Sequence, residues 1–155
     1  MGHPDAEPPV VYIAAPLFCQ SERRWNRELA REIEGRMRCT VVLPQDFKAP
    51  GEKDAGAHFA AIFRRCIEGV EAADAVVAVL DGSDADSGTA FEMGYAYALG
   101  KPVVGLRTDY REQHDQGTNL MCSRCCRAFV RVAAFDDDLC ALAARIVSAL
   151  GEALG

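Results

Sequence analysis

Four acidic side chains follow one apolar segment in the middle of the chain. The segment 74–80 is rich in valine, and Asp81, Asp84, Asp86 and then Glu92 come after it. Carboxylates gathered at one place repel each other, which costs stability but suits acid–base or nucleophilic chemistry, because burial and repulsion raise the pKa of one of them. The structural alternative is that the Glu92 charge only interacts favourably with the positive end of a helix and that the aspartates are ordinary turn residues. For Asp84, the turn residue is our interpretation.

A buried parallel strand followed by a helix would position these carboxylates. The unbroken apolar run is typical of a parallel strand that is covered on both faces. Gly88 and Thr89 then begin a helix whose first turns contain Glu92. The loop between the strand and the helix therefore lies at the carboxyl edge of a sheet, where open α/β folds bind their ligands.

Strands and helices alternate along the rest of the chain. The predicted strands cover residues 10–15, 40–43, 74–80, 101–107 and 129–132, and the predicted helices cover residues 21–37, 57–73, 89–99 and 136–150. Ser21 is the expected N-cap of the first helix. This alternation predicts an α/β fold, a three-layer sandwich with a parallel sheet of about five strands. Residues 1–9 are expected to form a flexible leader, and residues 10–155 a single domain.

Composition and charge exclude several classes of function. The chain has 155 residues, of which 50% are hydrophobic and 26% are charged, as in soluble globular domains. The net charge of −6 argues against a groove for a nucleic-acid polymer, which would need a basic surface. No apolar run is long enough to span a membrane, and the first residues lack the features of a signal peptide. We therefore expect no membrane association and a cytoplasmic location.

The seven cysteines are scattered, and most are expected to be buried free thiols. Only Cys122, Cys125 and Cys126 form a cluster. A structural zinc site needs four ligands, usually in two spaced pairs, whereas here a second pair is absent and His114 is the only nearby imidazole. We therefore expect no metal and no other cofactor, and we favour oxidation between the neighbouring thiols over a native metal site.

Three short motifs follow one another along the chain. They are Tyr12-Ile-Ala-Ala-Pro-Leu-Phe18, Asp86-Ser-Gly-Thr-Ala-Phe-Glu92-Met-Gly-Tyr-Ala and Asn119-Leu-Met121, and the second is the most specific. Together they resemble the nucleoside 2-deoxyribosyltransferase family, and the resemblance extends from Val10 to about Met121. It implies a flavodoxin-like (Rossmann-like) fold, cleavage of the N-glycosidic bond of 2′-deoxynucleosides, and transfer of the deoxyribose to another free nucleobase.

The resemblance also implies roles for individual residues. Glu92 would be the nucleophile, Asp86 would serve the departing base, and Tyr12 would orient Glu92. Asn119 would reach the 5′-hydroxyl, in this family usually from a neighbouring subunit. A homodimer or a larger even-numbered homo-oligomer with shared sites is therefore expected. The further substrate-binding positions are Phe18 in the pocket wall, Gln45 and Asp46 near the base, Gly88 at the start of the helix, and Met121 beside Asn119.

One position departs from the family pattern. Family members often carry a carboxylate on the helix before the central strand, and the matching residue here is Cys66. Either Asp81 or Asp84 would take over that role near the substrate, or the base is handled differently. The base preference is therefore left open.

The chemistry requires a carboxylate at the sugar and an acid at the base. Breaking the C1′–N bond builds positive charge on the sugar, which a carboxylate can stabilise or capture as a covalent glycosyl-enzyme. The base departs more readily when it is protonated. The same nucleophile would suit a hydrolase of 2′-deoxynucleoside 5′-monophosphates. A protein of another class, a nucleotide-binding sensor, would use this fold without turnover, but the intact Asp86 and Glu92 argue against it. Donors for a 5′-phosphate would be Ser21, Arg23, Arg24, Arg107 or Arg111.

Overall fold

The computed structural model describes residues 7–48, 55–111, 115–132 and 135–155. The leader residues 1–6, residues 49–51 of the loop after the second strand, and His114 lie outside these ranges. In chain order, the elements are β1 (Val10–Ala14), α1 (Gln20–Arg36), β2 (Thr40–Val42), a 3₁₀ turn (Pro44–Asp46), α2 (Ala55–Ala72), β3 (Ala75–Val79), α3 (Ser87–Ala98), β4 (Val103–Arg107), α4 (Leu120–Arg124), β5 (Ala128–Arg131) and α5 (Leu139–Leu154).

The five strands form one parallel sheet in the order β2-β1-β3-β4-β5. Every residue of β3 is buried, as its unbroken apolar run predicts, and every residue of β4 is buried as well, including Arg107 at its end. This strand order is that of flavodoxin-like folds, in which ligands bind at the carboxyl ends of the strands where the winding direction reverses, here between β1 and β3. The predicted α/β three-layer fold is confirmed. It places the ends of β1 and β3 beside each other.

Helices cover both faces of the sheet. Side chains alternate between the two faces along a strand, so Val11 and Ile13 belong to the core with α1 and α5, whereas Tyr12 and Ala14 belong to the core with α2 and α3. This alternation directs the Tyr12 side chain toward the helices that follow β2 and β3. Within the described ranges, no helix combines the length and the apolarity that crossing a bilayer requires.

Two local predictions are wrong. Ser21 is not the N-cap of α1: Cys19 has that position, because its thiol accepts a hydrogen bond from the Glu22 N–H while the Glu22 carboxylate accepts one from the Cys19 N–H at 2.9 Å. Helix α4 was not predicted at all, since five residues are too few to show a helical period. The Asn119 side chain caps α4 by accepting a hydrogen bond from the Met121 N–H at 2.9 Å.

Candidate active site

A buried hydrogen bond joins the first strand to the helix after the acidic loop. The Tyr12 hydroxyl donates to Oε1 of Glu92 at 2.7 Å, between residues 80 positions apart in the chain. Tyr12 is completely buried between the sheet and α2. Gly69 of α2 makes room for its ring, because a Cβ at that position would lie 2.9 Å from Tyr12 Cε2 and 3.2 Å from Phe47 Cζ. The packing around Tyr12 therefore fixes the direction of the Glu92 side chain.

Burial changes the acid–base behaviour of this cluster. It is the main cause that raises the pKa of Glu92, and the negative charge of Asp86 raises that pKa further, while hydrogen bonds from Tyr12 and Cys66 lower it. Burial and the Glu92 charge raise the pKa of Tyr12 far above its usual range and also raise that of the Cys66 thiol. Glu92 is therefore the group that ionises, and two protonated side chains stand beside it.

Glu92 also lines a cavity of about 270 Å³ between α2 and α3. This volume is near the lower end of the range for small-molecule sites, about 300–1,000 Å³. The lining is mostly apolar, and it consists, besides Glu92, of Phe63, Cys66, Ile67, Val70, Gly88, Phe91 and Tyr95. The Tyr95 hydroxyl donates to the Glu71 carboxylate at 2.6 Å. Of the described groups that line this cavity, Glu92 is the only carboxylate.

Asp86 lies at the N-terminus of α3 and serves as its N-cap. Its Oδ2 accepts hydrogen bonds from the Thr89 N–H at 2.9 Å and from the Thr89 hydroxyl at 3.3 Å. The carboxylate is close enough to Glu92 for its charge to raise the pKa of Glu92. Asp86 thus combines a structural role in the helix with a position beside the cluster.

Asp81 connects two loops at the carboxyl edge of the sheet. Its carboxylate accepts hydrogen bonds from the Thr108 N–H at 2.6 Å, the Thr108 hydroxyl at 2.5 Å and the Asp109 N–H at 2.8 Å. These bonds hold the segment after β4 against the end of β3. Asp84 is exposed and accepts a hydrogen bond from the adjacent Ala85 N–H, as in an ordinary turn.

The predicted base-contacting residues after β2 face α1. Gln45 accepts a hydrogen bond from the Asn26 amide at 3.1 Å and donates one to the Arg23 carbonyl oxygen at 2.9 Å. Asp46 is half exposed and pairs with Arg27 at 3.4 Å.

Phe18, which follows β1, is 74% exposed. It is not one of the described residues that line the Glu92 cavity.

The segment with Asn119 and Met121 lies on the opposite side of α3 from Glu92. Met121 lines a second cavity of about 450 Å³, together with Met93 and Tyr97 of α3. Within one chain, Tyr12, Cys66, Gly88 and Glu92 are thus brought together, and Asp86 lies alongside. The predicted positions that lie elsewhere are Phe18, Gln45, Asp46, Asp81, Asn119 and Met121.

Sequence analysis missed two kinds of residue at this site. The first is Gly69, whose importance depends on the ring that packs against it. The second is the pair Phe63 and Phe91, whose rings line the cavity with centroids 6.2 Å apart. The spacing of Phe63, Cys66, Ile67 and Val70 is that of one helix face, which was the available signal.

Across the described ranges, no three His, Cys, Asp or Glu side chains converge to hold a metal ion.

The chain is similar to a known family and to several solved structures. The family model described as nucleoside 2-deoxyribosyltransferase matches residues 11–121, a range that contains all three motifs. A structurally similar protein is a conserved protein of Enterococcus faecalis V583, with 32% identity and a TM-score of 0.71 over 90% of this chain and 99% of that one.

Two more distant structures share the fold. The 2-deoxyribosyltransferase of Bacillus psychrosaccharolyticus has 24% identity and a TM-score of 0.61, with 78% of this chain and 85% of that chain covered. The CMP N-glycosidase BcmB of Clostridium botulinum has 15% identity and a TM-score of 0.56, with 92% and 98% covered. No curated protein sequence matches the chain significantly.

Proposed function

Because this chain belongs to the nucleoside 2-deoxyribosyltransferase family, whose members are N-glycosyltransferases or N-glycosidases, we propose that it transfers deoxyribose between nucleobases. The substrate is a 2′-deoxynucleoside, and the acceptor is a second free base. The observation that carries the proposal is the buried Tyr12–Glu92 hydrogen bond at the wall of a cavity. It supports a nucleophile whose direction is fixed before substrate binds.

Glu92 is the proposed nucleophile. Its carboxylate attacks C1′ as the bond to the base breaks, which gives a deoxyribosyl ester of Glu92, and the second base then attacks C1′ and releases the carboxylate. Two displacements restore the original configuration. The raised pKa supports this role, since a carboxylate stripped of water by burial is a stronger base and nucleophile once ionised.

Asp86 is the proposed acid for the departing base. The N-cap uses Oδ2, so we assign Oδ1 to the base. In the proposed complex Asp86 takes up a proton when the base binds beside it, which removes the negative charge that faces Glu92 in the free protein, and Oδ1 donates this proton as the C1′–N bond breaks. Being tied to the first turn of α3, the carboxyl group is held in place at little entropic cost. Its position near Glu92 supports a shared site for the two groups.

A neutral 5′-hydroxyl is favoured over a 5′-phosphate, because several arginines that would bind a phosphate already have partners. Arg107 is buried and donates to the carbonyl oxygens of Leu80, Gly82 and Arg111. Arg111 pairs with Asp109. Arg23 donates to the Leu17 carbonyl oxygen at 2.9 Å.

We further propose that two subunits share each site. Asn119 and Met121 lie across α3 from Glu92 in the same chain, so a partner subunit would supply them to the Glu92 cavity. Mixing Glu92→Ala with Asn119→Ala protein tests this. If sites are shared in a dimer, a random mixture recovers about a quarter of the wild-type sites, whereas unshared sites recover nothing. Light scattering that shows only monomer under active conditions would also reject sharing.

Product analysis tests the reaction itself. The protein is incubated with deoxyadenosine and, in separate reactions, each of several free purine and pyrimidine bases. We expect adenine and at least one exchanged deoxynucleoside, with a deoxyribosyl adduct on the peptide that contains Glu92 after acid quenching. Glu92→Ala should lower turnover by at least about 10³-fold, whereas Glu152→Ala, an exposed change on α5, should not. Free deoxyribose without an exchanged nucleoside would contradict the transferase proposal and favour hydrolysis.

A further inference from the structure

Three thiols gather at the end of α4, outside the cavity of Glu92. Cys122 is buried within the helix, and Cys125 and Cys126 follow it, each half-buried. Both of the latter thiols donate to the Cys122 carbonyl oxygen, Cys125 at 3.4 Å and Cys126 at 3.1 Å. Two sulfur atoms that share one acceptor lie close together.

The two neighbouring thiols have different surroundings. Cys125 lines two cavities, one of about 450 Å³ next to α3 and one of about 230 Å³ next to Lys101 and Arg127. Small reagents can therefore reach its sulfur. Cys126 also lines the smaller of these cavities but not the larger one, and its sulfur packs against β4, where a Cβ at Gly105 would lie 2.7 Å from its Sγ.

The closeness of the two thiols also divides their acidity. Once Cys125 has ionised, a hydrogen bond from the Cys126 thiol stabilises its thiolate and lowers the pKa of Cys125 to about 7. The same interaction, together with burial, raises the pKa of Cys126. An accessible thiolate beside a protonated thiol that packs against the sheet is the arrangement of an attacking and a resolving cysteine.

We propose that Cys125 and Cys126 form a dithiol site that hydrogen peroxide oxidises to a disulfide. The Cys125 thiolate attacks one peroxide oxygen, the O–O bond breaks, and the departing hydroxide takes up a proton to become water. The Cys126 sulfur then attacks the sulfenic sulfur of Cys125, the S–O bond breaks, and a second water leaves. The two sulfurs lose two electrons in total, and these electrons reduce the peroxide to two water molecules.

Such a disulfide would be easy to reduce. The Cα atoms of neighbouring residues are about 3.8 Å apart across a trans peptide, which is shorter than the usual separation of about 4.4–6.8 Å across a disulfide. Strained disulfides have higher reduction potentials and are the labile ones. Cellular thiols would therefore return the pair to the dithiol, which makes the modification reversible.

Oxidation would also disturb α4. The new bond replaces the two thiol hydrogen bonds to Cys122, at the C-terminal end of a helix of five residues whose other end is capped by Asn119. In so short a helix, a change at one end moves the other. We expect this movement of α4 to raise the KM for deoxynucleosides about fivefold or more, which is the lower end of the usual coupling between two sites. This expectation rests on the proposed function.

Peptide mapping of the full chain tests the modification independently of activity. Trypsin cuts after Arg124 and after Arg127, so it releases the tripeptide that holds Cys125 and Cys126 but not Cys122. After peroxide treatment, this tripeptide should lose two hydrogens, and dithiothreitol should restore them. A disulfide that joins Cys122 to either neighbour, or oxidation of the exposed Cys140 before Cys125, would overturn the proposal.

Variants separate the two sulfur atoms. Cys126→Ser should stop at the sulfenic acid, which dimedone labels, whereas Cys125→Ser should not react and Cys140→Ser should behave as wild type. Phenylarsine oxide provides a measurement without substitution: it should bridge the two thiols of the wild-type protein, releasing water, and protect them from peroxide. Failure of both the labelling and the protection would refute the dithiol.

The KM measurement distinguishes this inference from the proposed function. If the disulfide forms in a protein that transfers no deoxyribose, the proposed function is wrong and the dithiol stands. If an active enzyme forms the disulfide without a change in KM, the coupling to α4 is wrong. Cys126→Ser should show no rise in KM after peroxide.

Discussion

Replacing Tyr12 by Phe tests the catalytic cluster most directly, since it removes one hydroxyl from a completely buried ring. That hydroxyl donates to Glu92 at 2.7 Å, and the phenyl ring of the variant fills the same space against Gly69. A hydrogen bond to a charged group contributes about 1.5–3 kcal/mol. If the bond orients the nucleophile in the transition state, kcat/KM falls by roughly 10- to 150-fold, because about 1.4 kcal/mol corresponds to a factor of ten.

The pH profile of the same variant gives a second, independent readout. The Tyr12 hydrogen bond lowers the pKa of Glu92, so its removal raises that pKa further. Activity requires the ionised carboxylate and therefore increases as the pH rises through this pKa. The acid limb of kcat/KM should move to higher pH in Tyr12→Phe, and the deficit should be larger on the acid side than on the alkaline side.

Tyr95→Phe is the matched control for this experiment. Tyr95 also donates to a glutamate, with its hydroxyl 2.6 Å from Glu71, but this pair does not include the proposed nucleophile. The change keeps the Tyr95 ring, which lines the Glu92 cavity, and removes only the hydroxyl that binds Glu71. Loss of the Tyr95 hydroxyl should change kcat/KM by less than about threefold, which corresponds to the energy of a weak surface interaction. Wild-type kcat/KM and an unmoved acid limb in a folded Tyr12→Phe protein would refute the role of the hydrogen bond.

Three further changes separate packing, capping and charge. Gly69→Ala should lower the free energy of unfolding and the activity, because overpacking against the buried tyrosine ring costs about 1–3 kcal/mol. This cost exceeds the gain in helix propensity from alanine. Gly35→Ala is the control: nothing lies within 4 Å of its new Cβ, so it should stabilise the protein by up to about 1 kcal/mol in urea unfolding. Asp86→Asn keeps an N-cap of similar quality, so the unfolding midpoint should hold while turnover falls by about 10²-fold or more; Asp138→Asn, the same change at the N-cap of α5, should leave turnover intact. Burial raises the pKa of Glu92, so ionisation of Glu92 destabilises the folded protein as the pH rises from the unfolded pKa to the folded pKa. Glu92→Gln should therefore be more stable than wild type at neutral pH. This advantage should disappear below the unfolded pKa of about 4.3. A pH-independent difference would contradict the last expectation.

The sequence was sufficient for features that depend on local pattern. The apolar run of β3 predicted a strand buried on both faces, because only a parallel sheet covered by helices accepts such a run. The loop after β3 and the helix with Glu92 follow from the same pattern and its turn residues. The motif resemblance supplied the pairing of Tyr12 with Glu92, and the hydrogen bond between them is present.

Features that depend on contacts between distant segments were not predictable. Asp81 was a possible substrate-binding residue, yet its carboxylate binds the loop after β4. Only the motif resemblance distinguished Asp86 from it, and that resemblance did not indicate that Asp86 also caps α3. The importance of Gly69 likewise depends on a ring that the fold brings from β1. Cys19 was missed as a cap because a thiol is a weak acceptor.

The absence of a cation among the described residues that line the cavity bears on how Glu92 would work. An arginine or lysine there would pair with the carboxylate, lower its pKa and weaken it as a nucleophile before substrate arrived. Tyr12 instead holds it with a neutral hydrogen bond, beside the Cys66 thiol in a cavity of mostly apolar lining. The positive charge that develops on the sugar would then be the first full counter-charge that Glu92 meets. An interaction that is strongest in the transition state is the kind that accelerates a reaction, which is why the cost of burying this carboxylate favours a catalytic role over a purely structural one.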